Sequence, residues 1–132
     1  TQVGIRNVSS TAKEGYEKAR EMGSDIISVR QARKIGMKNI AKRIPKGKRL
    51  YVTIDIDAFC PSIAPGTGTP SHGGFLYYEV LELLQSITVQ NSIIGIDIVE
   101  VAPDYDPTDS TAILAAQILL NFLGFIFSNS SE

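Results

Sequence analysis

The chain has 132 residues, with 13 lysines and arginines against 14 aspartates and glutamates, 43% hydrophobic residues and 8% aromatic ones. That balance excludes a disordered chain and suits one domain with a real core. The single cysteine, Cys60, excludes an internal disulfide and a cysteine-rich zinc site, so a bound metal must sit on oxygen or histidine, and a reducing, cytoplasmic setting is expected.

The chain opens at Thr1 without a methionine and passes almost at once into a strand-like VGIR. It is therefore expected to be a piece of something longer, which leaves an organellar address on the preceding segment open. Thr11-Ala12-Lys13-Glu14 has the form of a capping box and predicts a helix running to about Gly23. The apolar run DIISV predicts a strand, and the spacing from Gln31 to Ile44 predicts one helix that ends at Pro45-Lys46-Gly47. LYVTIDID comes next as a strand, then a loop of prolines and glycines, a helix from Tyr77 to Ser86, the strand SIIGIDIVEV, a turn through Pro103 to Pro107, and a last helix capped near Asp109. Strands alternating with helices predict an α/β fold with a mostly parallel sheet covered by helices, in one domain over residues 1–132.

Charge is unevenly placed. All 13 basic residues lie at or before Arg49, and 10 of the 14 acids lie after it, so the second part attracts cations. Arg33 to Arg49 carries eight positive charges, but Ile35, Ile40 and Ile44 mark an apolar face on the same helical pattern and no aromatics are interleaved. A solvated helix face is expected there, and no nucleic-acid partner. The apolar run from Ala112 to Phe127 is broken by Gln117, Asn121 and Gly124 and falls short of a membrane span. It is apolar on too much of its circumference to face water, so it is expected to pack into the sheet or against another subunit of a homo-oligomer.

The chemistry concentrates in YVTIDIDAFCPSIAPGTGTP. Asp is disfavoured in strands and rarely buried without a partner, yet Asp55 and Asp57 end a hydrophobic strand. A period of two puts both carboxylates on one side, at the carboxyl end of the sheet where α/β ligands collect. Hard oxygens at that spacing suit a divalent cation, although a hydrogen-bonded structural pair accounts for a bare DxD equally well. Glu100, ending the other long strand with no lysine or arginine nearby in sequence, also calls for a partner.

The loop narrows the comparison. Haloacid dehalogenases and translesion polymerases share a strand ending in DxD, but the first want Thr or Val where Phe59 stands, and the second continue into a helix that Pro61, Pro65 and Pro70 forbid. Thr53-Ile54-Asp55-Ile56-Asp57, then Pro61, Pro65-Gly66 and Gly74, followed by DIVEVAPDYD, resembles the ureohydrolase (arginase and agmatinase) signature over nearly the whole chain. APGTGTP looks more like agmatinase than arginase itself.

This resemblance implies part of a three-layer α/β/α arginase-like sandwich. It implies that Asp55 and Asp57 are two of six ligands of a dimanganese centre, with Mg, Co or Ni as alternatives. Glu100 would grip the guanidinium of a small cationic substrate, and metal-bound hydroxide would release urea and an amine. Thr53 and Asp97 are expected to support the ligands by hydrogen bonds, with Asp97 on the opposite side of its strand from Glu100. Thr67 and Thr69 are expected to satisfy the loop itself, and the lone histidine, His72, to be exposed and uninvolved. Cys60 departs from the Asp usual before this proline and should remove a bond that braces the loop; no base marks it as a reactive thiol. The family's histidine motifs GGDHS and DAHxD do not occur in the 132 residues, so the chain resembles the C-terminal half of such an enzyme and is expected to be inactive without the other half.

Overall fold

A computed structural model describes residues 1–6 and 12–129, in the order β1 (Gln2–Ile5), α1 (Lys13–Glu21), β2 (Ile26–Ser28), α2 (Val29–Ile35), α3 (Met37–Ala41), β3 (Arg49–Asp55), α4 (Tyr77–Thr88), β4 (Ser92–Val99) and α5 (Ser110–Asn129). The alternation of strand and helix is as expected, and both strand pairings are parallel. Among the described residues, however, β1–β2 and β3–β4 form two separate two-stranded sheets instead of one. Alternation dictates a crossover between parallel neighbours, but it carries no information on whether two such units share an edge.

The pleat of β3–β4 sorts the side chains. Leu50, Val52 and Ile54 join Ile93, Ile96 and Ile98 against the core, where Ile40, Leu84, Ile87, Ile118 and Phe122 from α3, α4 and α5 are buried. A register shift between Leu50 and Tyr51 keeps the apolar residues of both strands on this face. The other face presents Tyr51, Thr53 and Asp55 beside Gly95, Asp97 and Val99 in register. That face is open, with Tyr51 62% and Val99 38% exposed.

The helix expected over Gln31 to Ile44 is two helices. Gly36 ends α2 and begins α3 with φ +84°, a backbone state that breaks the ladder and that L side chains avoid. Ile40 is nonetheless fully buried and Ile35 and Ile44 pack beside it, so the basic residues do lie on a solvated face. Helix α2 starts at a capping box made by Ser28 and Gln31. The one expected at Thr11 falls outside the described residues. Arg33 of α2 reaches across to Glu79 of α4 at 2.8 and 3.0 Å and to the carbonyl of Gly74 at 2.9 Å. Glu79 in turn accepts the Leu76 N–H that opens α4.

Helix α5 corrects a second expectation. The interruptions at Gln117, Asn121 and Gly124 do not break it, and its 20 residues carry no charge, which is the length and composition of a membrane span. Leu114, Ile118 and Phe122 bury one side of it in the core, while Ile113, Leu120 and Phe127 remain exposed at 54, 68 and 67%. Spacings of seven place those three on one outer stripe.

Candidate active site

Strand β3 stops at Asp55 because its own carboxylate takes the next free backbone donor, the Asp57 N–H, at 3.0 Å. The chain turns there into a short 3-10 helix, Ile56–Ala58. Asp57 therefore sits on a turn and not on the strand, so strand alternation does not set its direction as the sequence suggests. Burial does: Ile56 and Phe59 are almost wholly buried and leave the aspartates at the surface end of the sheet.

Glu100 follows β4 with φ +65°, one of two non-glycine residues at positive φ among those described. Such a state costs on the order of 1 kcal/mol and persists only where the surroundings impose it. It also ends the alternation of β4. Asp97 consequently lies on the face shared by Thr53 and Asp55, and its position says nothing about the side taken by Glu100. Asp97 accepts the Tyr51 hydroxyl at 2.8 Å, and that bond raises the Tyr51 pKa. Thr53 stands in register beside Asp97, but among the described residues no hydrogen bond joins it to either aspartate, contrary to the support expected of it.

Asp55 and Asp57 stand together at the end of β3, and Glu100 follows Val99, the residue paired with Asp55, although among the described residues the three carboxylates do not gather closely enough to hold one ion. Burial pushes the Asp55 carboxyl above the usual range, the Asp57 N–H opposes this, the charges of Asp57 and Glu100 raise it further, and Arg6 lowers it. A cation held by Asp55 and Asp57 would relieve the repulsion between those two.

Arg6, which sequence reading passed over, organises this end of the molecule. Its side chain is 11% exposed, and its guanidinium donates to the Ser71 carbonyl at 2.8 and 3.1 Å and to the carbonyls of Phe59 (3.3 Å) and Asp57. It also stands 3.8 Å from the Asp57 carboxylate. One planar fork thus ties the end of β1 to both ends of the loop. The signal was a cation at the carboxyl end of a parallel strand, but its partners are more than 50 residues away. Arg6→Met is expected to cost about 2–3 kcal/mol of stability and to speed amide exchange across residues 57–71, measured by urea unfolding and hydrogen exchange. An unchanged urea midpoint would contradict the tie.

The proline and glycine loop closes on itself. Cys60 N–H donates to the Phe75 carbonyl and Phe75 N–H to that of Ala58, both at 2.9 Å. Thr69 donates to Asp57 at 3.0 Å, so it orients a candidate ligand beyond the loop role expected of it. Thr67 is 3% exposed and its hydroxyl has no partner among the described residues. His72 is exposed, as expected. The Cys60 thiol lies below its ordinary pKa, mainly through the Ser62 hydroxyl beside it. The backbone N–H groups of Ser62 and Gly73 also reach the Cys60 sulfur, so Cys60 still braces the loop, contrary to the lost bond expected of it, and Arg6 adds a second tie.

As metal ligands, two carboxylates are hard oxygen donors suited to Mn or Mg. Among the described residues no group of three His, Cys, Asp or Glu side chains comes close enough to hold an ion, so the pair fits as part of a donor set only.

Residues 1–124 match the model of the Arginase family. The chain belongs to that family. It is 37% identical over 128 residues to the human mitochondrial guanidino acid hydrolase, covering 92% of this chain and 35% of that protein. It is 34% identical over 125 residues to agmatinase of Neisseria meningitidis serogroup C, covering 92% and 38%. Among solved structures, proclavaminate amidino hydrolase from Streptomyces clavuligerus superposes with a TM-score of 0.87 at 34% identity, over 97% of this chain and 43% of that one. The fold is the arginase-like α/β fold. This arginase-family chain spans about two fifths of the length of these relatives.

Proposed function

We propose that the chain forms part of the active site of an amidinohydrolase of the agmatinase type, within a longer protein. Water adds to the guanidine carbon of a linear guanidine, the C–N bond breaks, and urea and an amine leave. The reading rests above all on the placement of Asp55 and Asp57 together at the carboxyl end of β3, with Glu100 just beyond Val99, the residue paired with Asp55. Asp55 and Asp57 would hold a divalent pair, manganese first and Mg, Co or Ni as alternatives, with the remaining donors coming from outside the described residues. When bound, the metal pair supplies a water acidified for attack near neutral pH.

The chain's own groups then do the rest. Glu100 pairs with the planar guanidinium as carboxylates pair with arginine, and holds its carbon against the aspartates. Thr69 and Arg6 fix the Asp57 carboxylate from two sides. The substrate is agmatine or, by the same chemistry, guanidinobutyrate or arginine; formiminoglutamate, a formamidine and not a guanidine, would release formamide in place of urea. The names of the relatives, guanidino acid hydrolase and agmatinase among them, support that class without choosing within it.

A second reading is favoured by the incomplete donor set: by itself the chain is an inactive assembly piece that acts through the remainder of the enzyme. The open face of β3–β4 offers that remainder a place to pack. The outer stripe of α5 offers one to a second subunit. In the full-length protein carrying this chain, Glu100→Gln is expected to raise the KM for its guanidine at least tenfold while manganese content stays constant. A wild-type KM would remove Glu100 from the substrate site.

A further inference from the structure

We infer that Asp106 and Thr111 are positioning residues for Glu100, holding the loop that carries it against the loop that follows Asp57 at a single residue, Gly66. This rests on the guanidinium role proposed for Glu100 and adds to it the device that sets where its carboxylate stands.

Asp106 lies six residues beyond Glu100, in the turn before α5, and is 3% exposed; Thr111, in the first turn of α5, is fully buried. A buried carboxylate needs donors on both oxygens, and Asp106 has them. Oδ1 accepts from the Thr108 N–H at 3.1 Å and the Thr108 hydroxyl at 2.6 Å, and Oδ2 accepts from the Thr111 N–H at 2.8 Å and the Thr111 hydroxyl at 2.7 Å. These donors hold its pKa down to about 2, so it is charged at any working pH.

The charge fixes the polarity of the contact between Thr111 and Gly66. A hydroxyl has one proton to donate, and Thr111 gives it to Asp106, so towards Gly66 it acts only as an acceptor. Gly66 N–H donates to it at 2.8 Å. On its other side the Gly66 carbonyl accepts the Ala102 N–H at 2.8 Å. Glu100 stands two residues before Ala102 in a strained backbone state, outside any strand, and nothing in the sheet ladder fixes it. Its Oε2 lies 3.9 Å from the point where a Cβ on Gly68 would stand, so the two loops meet at the site.

Gly66 has no room for a side chain: a Cβ there would fall 2.7 Å from that of Asp106 and 2.9 Å from the Thr111 hydroxyl. The carboxylate, the hydroxyl and the glycine are thus one fitted joint. It joins the segment bearing the candidate metal ligands to the segment bearing the candidate substrate ligand.

A role limited to capping α5 would alter stability and leave kinetics alone, and the test separates the two. In the full-length protein with agmatine or 4-guanidinobutyrate, whichever it hydrolyses, Thr111→Val is expected to raise KM about tenfold with kcat within about threefold and manganese affinity unchanged. Thr111→Ser, which keeps the hydroxyl, is expected to return KM to within about twofold of wild type. A folded Thr111→Val protein with wild-type KM overturns the inference, as does a Thr111→Ser protein no better than Thr111→Val. Should Thr111→Val not fold, Asp106→Asn, which keeps the shape and removes the charge, is expected to show the same KM rise, and a wild-type KM there overturns it equally. Glu100→Gln run alongside tells the failures apart: if it raises KM and Thr111→Val does not, only the positioning role falls, and if it leaves KM unchanged the substrate role of Glu100 falls first.

Discussion

Gly74→Ala is expected to remove a large share of the chain's folding stability at room temperature. An added Cβ would lie 2.4 Å from the Phe59 carbonyl carbon, 2.5 Å from its oxygen and 2.6 Å from the Cys60 nitrogen, all backbone atoms. No side chain can swing aside to make room. The Phe59–Phe75 bridge and the two hydrogen bonds that flank it would have to part, which frees the loop from both sides. The cost is about 4 kcal/mol or more, a large share of the roughly 5–15 kcal/mol that holds a domain together. Circular dichroism through a urea titration reads this directly; a midpoint close to wild type would mean that the loop packs differently. Gly95 makes a contrast, because its close neighbour is the ring of Tyr51, a side chain 62% exposed that can swing aside at the cost of its hydrogen bond to Asp97.

The second large effect is on metal and turnover. The 132-residue chain alone is expected to bind manganese no tighter than about millimolar and to release no urea, since such ions want about six donors and among the described residues no third ligand joins a candidate pair. In the full-length protein Asp55→Asn is expected to lower activity at least about 100-fold and to weaken manganese binding. In the isolated chain the same change should act in the opposite direction on stability. The folded-state pKa of Asp55 is raised, chiefly by burial, so charging it costs stability as pH climbs above the unfolded carboxylate value of about 3.9. Asp55→Asn therefore raises the urea midpoint at pH 7, and the gain fades below about pH 3.9, where the carboxyl is neutral in both states. Calorimetric manganese titration, a urea-release assay and unfolding at the two pH values test all three. Micromolar binding with turnover by the isolated chain would show that the site is built from other residues.

The sequence by itself determined the elements that obey a period. VTIDI alternates, so the strand and the exit of Asp55 at its carboxyl end were legible in advance, and the spacing of the prolines and glycines carried the family. Local chemistry also marked the loop, because prolines forbid the helix that a DxD could otherwise enter. What lay beyond reading were features that exist only between distant segments. The break at Gly36 was hidden by apolar spacing that continues on both sides of it. The turn at Asp57 and the positive φ of Glu100 cancel the alternation on which their directions, and that of Asp97, had been argued.

Tertiary structure alone decided the partners. Arg6 finds Asp57, Phe59 and Ser71 across more than 50 residues, and Gly66 finds Thr111 across 45. Neither pairing leaves a periodic trace. It decided too that β1–β2 and β3–β4 stand as separate pairs among the described residues. The physical reason is the range of the forces involved. Propensity and pattern act over one or two turns of chain, whereas the charges and donors that build a site are satisfied only after packing has brought distant backbone together.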